Sequence, residues 1–155
     1  MNVLAIDQGT SSTKALVVAP DGAVLGRAEV SVHARTVGEG GVEQDPEELW
    51  SSVVAAGQSA LRNAGTTIGA IGLANQGETV LAWDRSSGAP RSAAISWQDR
   101  RATGVCARLA PHADELRAIT GLPLDPYFAA PKMTWLREHV THAVAASVTK
   151  APVRR

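Results

Sequence analysis

The stretch Asn2-Val3-Leu4-Ala5-Ile6-Asp7-Gln8-Gly9-Thr10-Ser11-Ser12-Thr13-Lys14-Ala15-Leu16-Val17-Val18-Ala19 holds two short apolar runs, residues 2–7 and 13–19, parted by a polar segment. Short β-branched runs bounded by Gly, Ser and Thr predict strands joined by a tight turn. Pro20-Asp21-Gly22 then supplies turn chemistry, and residues 24–32 alternate apolar with polar, the period of a strand with one face in water. Three consecutive strands are predicted, the third at a sheet edge.

Beyond them, Gly38, Gly40 and Gly41 predict a flexible loop that ends in Asp45-Pro46-Glu47-Glu48. Asp45 suits a helix cap, Pro46 the first helical position, and Glu48 the return arm of a capping box. Leu49, Val53, Val54, Gly57, Ala60 and Leu61 recur at helical spacing to about Asn63. Residues 68–74 read as an apolar strand of a sheet interior, and residues 79–84 as another strand. Asp99 reads as a helix cap, with helices over 100–110, 113–120 and 131–140. Trp50, Trp83 and Trp135 are assigned to core packing. Strands, a helix and a further strand make an α/β domain.

At 155 residues the chain suits one compact domain with one core. Fifteen basic and fifteen acidic residues cancel, which removes the broad field that would draw nucleic acid or an anionic membrane. The single Cys106 cannot form an internal disulfide, and the start carries no signal-peptide pattern, so a cytoplasmic setting is expected. Every apolar stretch falls short of the roughly 20 residues needed to cross a bilayer. His139 and His142 lie three apart without a third ligand, and no zinc site is predicted.

The polar segment from Asp7 to Lys14 is the first candidate site. Gly9 lets backbone approach a ligand, the hydroxyls from Thr10 to Thr13, Ser11 among them, offer donors, and Lys14 offers a charge for phosphate oxygens. Asp7 could hold magnesium through water. The same composition also fits an ordinary polar hairpin, and the segment is not a Walker loop, which opens a helix.

Asp7-Gln8-Gly9-Thr10 with Lys14 resembles the first phosphate loop of the actin, hexokinase and sugar-kinase superfamily. Four later segments resemble the FGGY carbohydrate kinases, and the glycerol kinases among them most: Gly41-Val42-Glu43-Gln44-Asp45-Pro46, Asn75-Gln76-Gly77-Glu78-Thr79, Trp97-Gln98-Asp99-Arg100-Arg101 and Asp125-Pro126-Tyr127-Phe128. The resemblance implies a ribonuclease H-like α/β domain with a mixed sheet and flanking helices. It implies transfer of the γ-phosphoryl group of ATP, with Mg2+, to a sugar or polyol hydroxyl. By the same resemblance Asp7, Gly9, Thr10, Ser11 and Lys14 contact nucleotide and Asp7 the metal. Glu78 accepts from substrate hydroxyls, Trp97 covers the carbon chain, and Tyr127 lies at its edge.

Gly77 departs from the glycerol kinases, which place an arginine there, so a larger polyol or sugar is expected in place of glycerol. Residues 1–140 are expected to form the front part of the family's first domain, and 141–155 a divergent tail. The base aspartate and the adenine-binding half are expected from sequence beyond this chain, supplied by a missing C-terminal half. The chain alone is then expected to be inactive and open to self-association. The alternative is a non-catalytic remnant or interaction module.

Overall fold

The computed structural model describes residues 1–140 and 144–147. They gather into two compact units, Met1–Ala34 with Gln44–Gln76, and Arg35–Glu43 with the residues from Gly77 onward. Each has its own apolar cluster, in place of the single core that length suggests.

The first unit is built on β1 (Val3–Gln8), β2 (Ser12–Val18), β3 (Val24–Ser31) and β6 (Ala70–Asn75), in the order β3-β2-β1-β6. β1 and β2 are antiparallel, with Ile6 opposite Ala15 and Asp7 opposite Lys14. β6 runs parallel to β1, with Val3 opposite Ala70 and Ile6 opposite Leu73, so the sheet is mixed. The helix α1 (Pro46–Ala64) covers one face of β1–β3 and buries Leu4, Ile6, Ala15 and Val17 against Ala56 and Ala60. Alternation puts those residues on the helix side and Asp7 and Lys14 on the other. The approach is close at Gly26, where a Cβ would stand 2.5 Å from Ala60 O and Ala64 N.

α1 begins as predicted: the Asp45 side chain accepts from Glu47 N at 2.9 Å, Pro46 stands in the first turn, and Gly65, at φ 58°, closes the helix. Glu48 does not close a capping box. Its carboxylate meets His33 Nδ1 at 2.6 Å, a partner 15 residues away that local spacing cannot reveal.

The strand expected at residues 68–74 forms as β6 over residues 70–75, but it ends the sheet order instead of lying inside it. Ile71 and Leu73 share the face of Leu4 and Ile6 by register, yet each is 66% exposed because α1 lies over the other three strands.

The second unit holds a sheet of order β4-β5-β8-β7-β9. Its strands are β4 (Ala34–Val37), β5 (Gly41–Gln44), β7 (Val80–Trp83), β8 (Ala94–Ile95) and β9 (Val144–Ser147). The glycine-rich loop is in fact a hairpin turn. Gly41 N donates to Gly38 O at 3.2 Å, and Glu39 and Gly40 both take positive φ, the geometry whose twist matches paired strands. Helices α2 (Thr103–Leu109), α3 (Ala113–Thr120) and α4 (Ala129–His139) follow, and Leu136 of α4 packs on Val80 and Ile95. Within the tail, β9 pairs antiparallel with β7, and the remainder lies outside the described residues.

Two tryptophans assigned to the core are not in it: Trp50 is 64% and Trp83 40% exposed. Both occupy apolar-looking positions of regular elements, α1 and β7, on their exposed side. Among the described residues no helix is long and apolar enough to cross a membrane.

Candidate functional site

In the first unit the segment between β1 and β2 is a tight turn, closed by Gly9 N donating to Ser12 O at 2.9 Å. Glycine is needed there for space, since a Cβ at Gly9 would stand 3.0 Å from that carbonyl. Ser11 is exposed at the tip, and its carbonyl accepts from Val32 N at 3.0 Å. Asp7 and Lys14 are cross-strand neighbours on the open face of the sheet. A carboxylate, an ammonium and the Ser11 hydroxyl thus stand at one end of two strands, a set suited to a phosphate accompanied by a hydrated cation, while the Thr10 hydroxyl donates to Gln76 Oε1 at 3.2 Å. Among the described residues no three acidic, His or Cys groups cluster to hold a metal.

Thr13 is withdrawn from this set. Ser52 Oγ donates to Leu49 O at 2.7 Å, leaving its oxygen to accept from the buried Thr13 hydroxyl at 2.6 Å under α1. Gln8, Gln44 and Gln76 form a hydrogen-bonded group beside Thr10. Sequence alone gives them no shared role, because amides far apart in the chain carry no common pattern.

In the second unit Glu78, Trp97 and Tyr127 come together around the start of α4. Gly77 and Glu78 both take left-handed backbone, φ 62° and 55°, and Thr79 N donates to Gly77 O at 2.7 Å. A non-glycine residue held this way carries strain of order 1–3 kcal/mol, which persists only where surroundings enforce it. Here the enforcing contact is visible: Glu78 Oε2 accepts from Ala129 N, the first amide of α4, at 2.5 Å. The carboxylate satisfies one orphan donor of that helix and faces its positive end.

Tyr127 packs edge-on against Trp97, with ring centroids 5.7 Å apart, and Phe128 packs edge-on against Tyr127 at 5.1 Å. Asp125 shapes this turn by accepting from Tyr127 N at 2.8 Å and from Arg100 Nη1 at 2.9 Å. Trp97 is half-buried and Tyr127 is 41% exposed, so both present ring surface.

Behind the rings lies Lys132, 1% exposed, its ammonium donating to the carbonyls of Pro126 and Tyr127. Nothing in the sequence singles it out, since a lysine on a helix ordinarily reaches water. Burial pulls its pKa down to about 8, with Glu78, Asp99 and Asp125 working against the fall and Arg100 adding to it. The unfolded lysine titrates near 10.4, so between about pH 8 and 10 the unfolded chain binds more protons and stability rises with pH. The wild type is therefore expected to gain about 1–3 kcal/mol on Lys132→Met between pH 7.5 and 10 in urea unfolding. A flat difference would reject the buried charge.

Asp99 is no helix cap. α2 starts at Thr103 without a side-chain cap, and Asp99 is fully buried. It accepts from Val42 N at 2.8 Å, Arg101 N at 2.9 Å and the Arg101 guanidinium at 2.7 Å. Arg101 also meets Glu43 at 2.8 Å and lies 4.6 Å from the Trp135 ring centroid. His139 stacks on the same tryptophan and meets Trp135 O through Nδ1 at 2.8 Å, while His142 lies outside the described residues.

Comparison with known proteins gives consistent relatives. The N-terminal domain of the FGGY family of carbohydrate kinases matches residues 2–150. The glycerol kinase of Aromatoleum aromaticum is 45% identical over 148 residues, covering 92% of this chain and 30% of that protein. The same figures hold for the glycerol kinase of Methylobacterium nodulans. The crystal structure of Plasmodium falciparum glycerol kinase with ADP superposes with a TM-score of 0.85 at 26% identity, covering 94% of this chain and 32% of that one. The xyloylose kinase of Brucella ovis superposes with a TM-score of 0.81 at 27% identity, covering 90% and 29%. The chain spans about 30% of the length of the curated relatives it matches.

Proposed function

This chain belongs to the FGGY family of carbohydrate kinases, matching its N-terminal domain, and we propose that it contributes the phosphate turn and one acceptor wall to ATP-dependent phosphorylation of a sugar or polyol. Asp7, Gly9, Thr10, Ser11 and Lys14 hold the ATP phosphates in this reading, with Asp7 on the hydrated Mg2+. Bound Mg2+ supplies charge neutralisation at the transferring phosphoryl group. Glu78 accepts from acceptor hydroxyls, Trp97 covers the carbon chain and Tyr127 lies at its edge. A cytosolic setting, where ATP is plentiful, suits this chemistry.

The gathering of Glu78, Trp97 and Tyr127 at the start of α4 carries the reading, because a polyol needs an acceptor for its protons and flat apolar faces for its carbons. Calorimetric titration with MgATP and with a panel of polyols and pentoses tests it. Binding of both ligand classes is expected, without ADP release by the chain alone. Failure to bind either class would favour an interaction module, a reading supported by the open strip of Ile71 and Leu73 on β6.

Gly77 sets the acceptor size. A Cβ there meets nothing within 4 Å, so a larger side chain has room, at a cost of about 1 kcal/mol for its left-handed backbone. Gly77→Arg is expected to add hydrogen-bond donors beside Glu78 and to shift preference towards three-carbon polyols by about tenfold. Unchanged relative affinities for glycerol and pentitols would refute this assignment.

A further inference from the structure

Three glutamines of the first unit, Gln8 at the end of β1, Gln44 at the end of β5 and Gln76 just after β6, have amide orientations that follow from chemistry alone. Gln8 Nε2 donates to Gly9 O at 2.7 Å, and Gln44 Nε2 donates to Thr10 O at 3.0 Å. Carbonyl oxygens only accept, so these two contacts decide which end of each side-chain amide carries hydrogen. The remaining oxygens, Gln8 Oε1 and Gln44 Oε1, both receive from Gln76 Nε2, at 3.3 and 2.8 Å. Both hydrogens of Gln76 are then directed inward, and its Oε1 accepts from the Thr10 hydroxyl at 3.2 Å. The donors form a closed circuit from Thr10 through Gln76 to Gln8 and Gln44 and back to the turn.

A trans peptide sends its N–H opposite to its C=O. With the carbonyls of Gly9 and Thr10 held towards Gln8 and Gln44, the amide hydrogens of Thr10 and Ser11 are turned away from the glutamines. Two successive amides aimed the same way are what an anion site requires. Gln8 and Gln44 are 9% and 1% exposed, so loss of one donor leaves buried acceptors unpaired and the turn free to rotate.

We propose that Gln8, Gln44 and Gln76 form a positioning network for the phosphate turn, in which Gln76 sets the Thr10 hydroxyl and keeps the Thr10 and Ser11 amides aimed at a bound phosphate. The role in anion binding rests on the kinase reading, whereas the network's hold on the turn does not.

The test begins with the ligand-free, 15N-labelled chain. In Gln76→Glu at pH 8 the introduced carboxylate has no hydrogen for Gln8 and Gln44, so the Thr10 and Ser11 amide resonances shift and exchange at least tenfold faster. Acidification protonates that carboxyl and restores a donor. The resonances then return towards wild type, with a midpoint above the ordinary glutamate value of about 4.3 because two carbonyl oxygens face the anion. Gln76→Met, which lacks a donor at every pH, shows the shift without the return, and it carries the comparison if Gln76→Glu does not fold at pH 8.

Inorganic triphosphate with Mg2+ is the binding probe, and Gln76→Met, which adds no charge, is expected to lose at least tenfold in affinity. Unmoved resonances, the same pH response in both variants, or unchanged triphosphate affinity would overturn the network. A wild-type chain that binds neither triphosphate nor MgATP overturns the kinase reading together with the network's anion role, and the ligand-free resonances separate that failure from failure of the network itself.

Discussion

Asp99→Asn is expected to destabilise the second unit by about 3–5 kcal/mol, the cost of leaving a buried charge without its partner. The carboxylate is fully buried and receives the Arg101 guanidinium and two backbone amides, so neither oxygen is idle. An asparagine oxygen kept at the Oδ2 position still accepts from Val42 N and the guanidinium, without the charge, but the NH2 then replaces the oxygen that receives Arg101 N and faces an N–H that only donates. Glu43 retains part of the arginine's charge, and the Trp135 ring retains its stacking, which holds the loss below that of an isolated ion. Urea unfolding followed by tryptophan fluorescence measures the effect, because Trp83, Trp97 and Trp135 all report from this unit. Adding Arg101→Met should recover part of the loss, since removing both charges together is far cheaper than removing one. A single-variant loss below about 1 kcal/mol would show that the pair is solvated.

Asp99 has the sequence context of a helix cap and caps no helix. Features decided within one turn are legible: the tight turn that holds Gly9 and the Asp45 cap that opens α1. Asp99 followed by Arg100 and Arg101 has the local signature of a helix start, but its decisive partners are Val42 N, 57 residues upstream, and the burial that excludes water. Glu48 likewise has the spacing of a capping box with Asp45, while His33 holds it, pulling its carboxyl below the usual range. The apolar run of residues 68–74 suits a sheet interior by composition, and composition does not say how many strands α1 covers.

For the candidate site, resemblance supplied the residues and the structure supplied the supports: Lys132 behind Tyr127, the three glutamines under the phosphate turn, and the α4 amide on Glu78. Each support joins residues whose separation leaves no periodic trace. The Glu78 backbone, at φ 55°, likewise could not be foreseen, because glutamate has no preference for left-handed geometry.

That strained glutamate carries the largest functional prediction. Glu78→Gln is expected to weaken polyol binding by about tenfold to a hundredfold, the loss of hydrogen bonds to a charged acceptor worth about 1.5–3 kcal/mol. Stability should fall by only about 0.3–1 kcal/mol, because the glutamine oxygen still accepts from Ala129 N and only the charge at the α4 terminus is lost. A purely structural role for Glu78 predicts the reverse ordering, with stability changed and binding little altered. The Trp97 indole N–H resonance is a suitable reporter, since its ring meets Tyr127 and its backbone amide meets Thr79 Oγ1, next to Glu78. Titrating pentitols against wild type and variant should move that resonance along one path with a raised midpoint for Glu78→Gln. Equal midpoints would remove Glu78 from the acceptor site and leave it as the cap of α4, in which case the strain at φ 55° serves the helix and not a ligand.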